Sequence, residues 1–236
     1  MFSKKKNKSV SPLAVEQQEQ IFYISFLEPS MVAFDIGTNV GEISLLFSRF
    51  VGTQGQVHSF EPFKETYDKA KTIFELSNKK NIKFNNIVVS DHTEGENFYV
   101  YPEKYSGWNT LAKRPLEKYG VDVKPEKILP LPSTTVEQYC LENNISHIDL
   151  LKIDVEGAEL KVLNGAKQLF LEKRITCCVF EFGQTVYDAG NTPQDYIDFF
   201  EEVGYKVRNL VKEQGLYPHN PNNGWAEFSV HLATIK

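Results

Sequence analysis

The sequence predicts an α/β fold, a mostly parallel sheet with helices on both faces. Three observations predict it. Short apolar runs alternate with segments whose apolar residues recur at helical spacing. Four of those runs end in or beside an acid: Asp35, Glu61, Asp154 and Glu181. The run Ile175–Phe182 (ITCCVFEF) is apolar almost throughout, as expected of a strand covered on both faces. The 236 residues suffice for one large domain of this class.

Residues 1–12 (MFSKKKNKSVSP) read as a loose basic tail, and 13–236 as a single domain. Ile21, Phe22, Ile24 and Phe26 suggest a helix packed on the domain edge. A first strand covers 31–35 (MVAFD), and Ile43, Leu46, Phe47 and Phe50 mark a helix over 40–50. Gln56–Phe60 is the second strand, after which Pro62 opens a helix to Ser77, since proline suits a first turn. A third strand is expected over 82–89 and a fourth over 148–154. One helix is expected over 157–173, with Leu160, Leu163 and Leu169 among its apolar positions. The fifth strand follows, then a helix that Thr192 caps and Pro193 opens. Strands over 205–211 and 226–235 close the chain. A strand over 97–101 opens the stretch 97–134, which then breaks the rhythm with five prolines, Tyr105, Trp108 and Tyr119. A loop that long reads as a partial lid over the sheet's carboxyl edge. Its aromatics, with Tyr101, either stack on an acceptor or cover the lid's own small core.

Composition narrows the function. Apolar residues are 41% and charged residues 24%, ordinary for a globular chain. Formal net charge is −5; beyond the tail lysines Lys4, Lys5, Lys6 and Lys8, 22 basic residues face 31 acidic ones. An acidic body argues against a broad nucleic-acid-binding face. No apolar stretch reaches membrane-span length and none follows the basic N-terminus as a secretory signal would, so a cytoplasmic protein is expected. Cys140, Cys177 and Cys178 lack metal or redox spacing and read as buried reduced thiols.

The chemistry concentrates in 32–41, VAFDIGTNVG. A strand ends in Asp35, Gly37 follows, and Gly41 opens a helix. Glycines there let the chain turn tightly and let a ligand approach the backbone. In such sheets ligands bind beyond the carboxyl ends of the strands. The spacing D-x-G-x-x-x-G is not the G-x-G-x-x-G of a dinucleotide site. An acid repels a pyrophosphate and attracts a cation, which suits S-adenosylmethionine, a sulfonium without phosphate. Glu61, at the end of the second strand, is placed to accept from two ribose hydroxyls. Asp91 after the third strand either accepts from an adenine amino group or caps a turn. In the segment IDLLKIDVEGAE, Asp154 is expected at the cofactor crevice. Lys152, charged within an apolar strand, needs a partner, either Asp35 or Asp154. Glu156 and Glu159 either act at the site or serve the following helix's dipole.

Together DIGTNVG, SFEP, VVSD, TVEQY, LLKIDVEGAE, VLNGA and VFEF resemble the FkbM-like methyltransferases over about 31–210. The resemblance implies the seven-stranded, Rossmann-like class I methyltransferase fold, S-adenosylmethionine as donor, and methyl transfer to a hydroxyl, often of a sugar or secondary metabolite. It implies that Asp35, Gly37, Asn39 and Gly41 line the methionine end, together with Thr38, which stands where alanine is expected. It implies further that Glu61 holds the ribose, that Ser90 and Asp91 lie at the adenine, and that Asp154 and Glu156 mark the donor–acceptor boundary. For the base that relieves the hydroxyl of its proton, Asp154 is the first candidate, Glu181 the second and His92 the third. No metal is assigned. The polar loop 217–223 is expected to rim the acceptor site, whose occupant should be a hydroxylated small molecule or glycan rather than nucleic acid. The alternatives are a nucleic-acid methyltransferase, which lacks an N-P-P-Y signature here, an NAD-dependent oxidoreductase, and a cofactor-binding module without catalysis.

Overall fold

A computed structural model describes residues 10–219 and 225–236. The lysines of the expected basic tail, and 220–223 of the polar loop, lie outside them. In chain order the elements begin with α1 (Pro12–Phe26), β1 (Val32–Ile36), α2 (Glu42–Val51), β2 (Gln56–Phe60), α3 (Lys64–Ser77), β3 (Ile82–Asn85) and β4 (Val88–Val89). The middle of the chain supplies β5 (Glu96–Val100), β6 (Lys127–Leu131), β7 (Ser133–Thr134), α4 (Val136–Glu142) and β8 (Ile148–Ile153). It ends with α5 (Glu159–Asn164), α6 (Lys167–Leu171), β9 (Ile175–Phe182), α7 (Gln184–Asp188), α8 (Pro193–Glu202), β10 (Tyr205–Asn209) and β11 (Ser229–Ile235).

Seven strands form the main sheet in the order β10-β11-β9-β8-β1-β2-β3. Only β11 runs antiparallel to its neighbours. The chain leaves β1 toward β2 on one side and returns through β8 on the other, so the switch point lies between β1 and β8. Both faces are covered. One core joins Phe34, Leu151, Ile153, Phe180 and Phe182 to the aromatics of α8. The other packs Ala33, Leu150, Cys177, Val179 and Val230 under α1 and α2. Cys177 and Cys178 thus bury on opposite faces, as alternation requires, and all three thiols are free. At the start of α8 the Thr192 hydroxyl and backbone N–H both meet the Asp195 carboxylate, a reciprocal cap.

Three expectations are corrected. The third strand does not run to Val89. Asn85 donates to the Ser59 carbonyl and Asn86 to the carbonyls of Glu61 and Pro62. These bonds tie the chain across the end of β2, and Val88–Val89 leaves the sheet to pair with Ser133–Thr134. The helix expected over 157–173 is two helices. At Gly165 between them a Cβ would lie 2.0 Å from the Ser90 carbonyl oxygen, so backbone packs directly on backbone there. Finally, the segment 97–134 holds more regular structure than the one strand expected at its start, over 97–101, which is β5. β5 and β6 pair antiparallel, and Thr110 bridges back to Tyr99.

Candidate functional site

Gly37 sits where β1 meets the end of β8. Its φ is +83°, and a Cβ would fall 1.7 Å from the Asp154 carbonyl oxygen. No side chain fits, and the loop lies flat against β8. Thr38 braces the turn: its hydroxyl donates to the Asp35 carbonyl and accepts from the Phe60 N–H. Gly41, also at positive φ, has the Phe74 ring 2.5 Å from where a Cβ would be, so it serves the packing of α2 on α3. Asn39 turns left-handed and donates its N–H to Glu61, 3.0 Å. The other Glu61 oxygen accepts from the Phe63 N–H at 2.9 Å. Burial raises the Glu61 carboxyl to about 7, against the pull of those two amides.

A cleft opens beside this loop. Gly37, Asn39 and Glu61 form one wall, and Ile87, Val88, Val89 and Phe60 form an apolar one. Asp154, Val155 and Glu156 close the base, and Ser106, Gly107, Asn109 and Leu111 of the 97–134 excursion reach over it. The excursion is fastened at two points. The Thr110 hydroxyl donates to the Glu156 carbonyl, 2.7 Å. Arg114 pairs with the fully buried Asp188 side chain of α7 at 2.9 Å, and the Tyr119 hydroxyl donates to the same carboxylate. Tyr105 stacks on Trp108, with Arg114 over the indole, so these aromatics pack on one another within the excursion.

Beneath the cleft lies a charged row. Asp35 on β1 faces Lys152 on β8 in register, at 3.1 Å. Lys152 also reaches Asp154 at 3.2 Å and the Gly37 carbonyl at 3.2 Å. Ser44 of α2 donates to the other Asp35 oxygen at 2.5 Å. Asp35 is fully buried, engaged on both oxygens, and does not line the cleft. Burial pushes the Lys152 ammonium's pKa down, but Asp35, Asp154 and Glu19 together outweigh it and raise it. Two residues further along the same faces come Asp154 and, on β9, Glu181. Burial and the carboxylates of Asp154, Glu156 and Glu19 hold Glu181 well above the usual carboxylate range. Glu156 has φ +53° and its carboxyl is raised to about 8, first by burial, then by Asp154 and Glu159. Glu159 accepts from the N–H groups of Val155 and Gly157, both at 3.1 Å, and so shapes the turn.

Of the residues singled out from sequence, the cleft gathers Gly37, Asn39, Glu61, Asp154 and Glu156. Asp35, Thr38, Gly41, Ser90 and Glu181 support it from behind. Ser90 is fully buried and donates to Glu96. Asp91 and His92 stand elsewhere. His92 lines a separate surface hollow with Glu94 and Glu96, which corrects its assignment as a base. Its imidazole lies 3.1 Å from Glu94, 3.3 Å from Glu96 and 3.7 Å from Asp91. Ligand atoms of Asp91, His92 and Glu96 come within 4.8 Å of one another, but Lys161 and Ser90 already occupy Glu96. Sequence reasoning missed Glu19, the one acid in the stripe Val15, Glu19, Tyr23, Leu27 that α1 turns to the sheet. Its i, i+4 spacing within buried residues was the available signal.

The cleft suits an adenosine-bearing ligand: a carboxylate with spare lone pairs for a ribose diol, apolar walls for a base, and a loop with no room for a Cβ. Comparison with known proteins agrees. The model of the methyltransferase FkbM domain matches residues 35–207. No curated protein matches the chain. Among solved structures, a methyltransferase FkbM from Methylobacillus flagellatus KT is similar over 90% of this chain and 50% of that one, at 11% identity and a TM-score of 0.52. An rRNA methylase from Streptococcus thermophilus is similar over 96% and 100%, at 10% identity and 0.52. SMU.1697c from Streptococcus mutans, solved in complex with SAH, is similar over 94% and 98%, at 12% identity and 0.50. The strand order is that of the class I methyltransferase fold. With its family model spanning most of the domain, the chain belongs to the FkbM family of S-adenosylmethionine-dependent methyltransferases.

Proposed function

We propose that this methyltransferase acts on a hydroxyl of a sugar, glycan or other hydroxylated small molecule, with Asp154 as the proton acceptor. The observation that carries this reading is the carboxylate-rich edge of the cleft. Asp154 and Glu156 line it; Asp35, Glu181 and Glu19 stand behind them around Lys152. Arg114, which also feels Glu156, is spoken for by Asp188. Such an edge offers a phosphodiester backbone no unpaired cation, because Asp35 and Asp154 hold Lys152, and it favours a neutral or cationic acceptor. Nucleic acid is therefore the weaker reading, although a similar fold serves an rRNA methylase.

S-adenosylmethionine supplies a methyl group already activated by its sulfonium. Gly37, Asn39 and Glu61 would hold it, with Val88 and Val89 beside the base. The chain's remaining work is alignment and proton removal. The methyl group would pass to the acceptor oxygen, with the carbon–sulfur electron pair left on sulfur. The hydroxyl proton passes to Asp154, whose side chain keeps 30% of its surface exposed while Lys152 fixes its direction. A positioned base contributes about 10²–10⁴-fold. Ser106–Asn109 over the cleft would exclude water.

The test is a screen with methyl-labelled S-adenosylmethionine over hydroxylated sugars and metabolites, with ribosomal RNA in parallel. Label in a small hydroxylated product, lost about 10²-fold or more in Asp154→Asn with donor binding kept, supports the reading. Label in RNA overturns the acceptor class, and an undiminished Asp154→Asn overturns the base.

A further inference from the structure

Helix α1 lies outside residues 35–207, so the family model assigns nothing to it. Its buried stripe is Val15, Glu19 and Tyr23, which Leu27 just past its end continues at four-residue spacing. Three of the four are what a helix packed on a sheet requires, and Val15, Tyr23 and Leu27 meet Leu150, Cys177, Val179 and Val230 there. Glu19 is the exception. Only 8% of it is exposed, and an acid in that place costs free energy unless it has partners. One is on its own helix: the Tyr23 hydroxyl donates to Glu19 at 2.5 Å. The rest of its surroundings come from the strands beneath, where only Lys152 favours its charge. Asp35 from β1, Lys152 and Asp154 from β8, and Glu181 from β9 all occupy the sheet face that α1 covers. The ammonium of Lys152 is the cation of that set.

We infer that Glu19 is a positioning residue of the active centre: buried over the sheet face that carries Asp35, Lys152 and Asp154 and tied down by Tyr23, its charge acts through space on Lys152 and Asp154, so that α1 sets the electrostatics behind the Asp154 wall of the cleft. The inference rests on the reading of Asp154 as a cleft residue that faces the donor and acceptor. Burial raises the Glu19 carboxyl while Lys152 and Tyr23 pull it down, and its negative charge in turn raises Glu181 and Lys152. Removing that charge lowers the proton affinity of its neighbours. It also weakens the attraction for a cation without touching the ribose or adenine walls.

S-adenosylmethionine and S-adenosylhomocysteine separate these effects, since they share everything but the methyl group and its positive charge. Calorimetric titration with both, in buffers of different ionisation enthalpy at pH 6–8, measures affinity and protons released. Glu19→Gln should weaken S-adenosylmethionine about three- to tenfold, a loss expected from one charge at intermediate dielectric. S-adenosylhomocysteine should change less than twofold, and fewer protons should be released on binding the sulfonium at pH 7. Tyr23→Phe should reproduce the change in part, because it frees the carboxylate without removing it. Glu16→Gln, on the exposed face of the same helix, should match wild type. Asp154→Asn reports on the underlying reading. If it alters the ratio of the two affinities and a folded Glu19→Gln does not, the role of Glu19 is overturned and the cleft assignment stands. If neither alters it, the cleft assignment fails as well. Should Glu19→Gln melt too low to titrate, Tyr23→Phe decides, and a wild-type ratio there overturns the inference.

Discussion

Gly37 is the position where the least freedom exists. Its φ is positive, and a Cβ would meet the Asp154 carbonyl at 1.7 Å. Gly37→Ala must therefore push β1 and β8 apart at the mouth of the cleft. A loss of about 2 kcal/mol or more in stability is expected, with donor affinity reduced beyond tenfold; chemical denaturation and calorimetry check the two together. Glu61 tests a different quantity. It already accepts from Asn39 and Phe63, so Glu61→Gln keeps one acceptor oxygen and gives up the other. Affinity for S-adenosylmethionine should fall about tenfold, the scale of one charge-assisted hydrogen bond. A wild-type affinity would remove Glu61 from the donor site. The histidines make the converse point. His58 sits between Phe34 and Tyr139, bonded to the tyrosine hydroxyl at 2.9 Å and lowered to about 4 by burial. It is a core residue, as is His231 against Phe180 and Tyr217.

At the scale of elements, the excursion from β5 to β6 is held by its own strand pairing and by one buried ion pair to α7. Asp188 accepts from both Arg114 and Tyr119. Asp188→Asn keeps an acceptor for the tyrosine but leaves Arg114 without its counter-charge. Breaking a buried pair in this way costs about 3–5 kcal/mol when the fold cannot relax. Here the excursion can detach, so the expected outcome is local: faster proteolysis within 97–134 and weaker donor binding, with the main sheet intact. Limited proteolysis with and without S-adenosylhomocysteine measures it. Helix α8 is the control element. Thr192→Ala removes a reciprocal cap and should lower stability by about 0.5–2 kcal/mol without altering cofactor affinity.

The whole molecule carries a pH signature. Glu61 and Glu159 have carboxyls raised to about 7 and Glu156 to about 8, in each case first by burial. The unfolded chain releases these protons near pH 4.5, so between pH 4.5 and 8 the native state binds more protons than the unfolded one. Stability from these groups therefore falls as pH rises through that window. Urea midpoints measured from pH 5 to pH 8 should decline. Glu159→Gln, which keeps an oxygen for Val155 and Gly157, should flatten the decline below pH 7. A midpoint that rises across the window would contradict the burial assigned to these acids. Binding a cation at the carboxylate edge should oppose the decline, so the donor's stabilising effect should grow toward pH 8.

Local rules made much of this molecule legible. Apolar strands that end in acids, D-x-G-x-x-x-G after the first, and LLKIDVEGAE after the fourth placed Asp35, Gly37, Glu61, Asp154 and Glu156 at one sheet edge, because parallel strands carry their carboxyl ends to the same side. The charged residue in an apolar strand, Lys152, announced its need for partners, and it has both Asp35 and Asp154. What the tertiary structure alone decided depends on contacts between residues far apart in the chain. Two asparagines reaching across β2 turned Val88–Val89 out of the sheet, and a close approach to Ser90 broke a helix at Gly165. The direction of the chain after Ser90 took Asp91 and His92 away from the cleft. Packing of α1 buried Glu19 over the sheet face that carries Lys152, more than a hundred residues away. Periodicity reports which face of an element is buried, but not which distant side chain it is buried against.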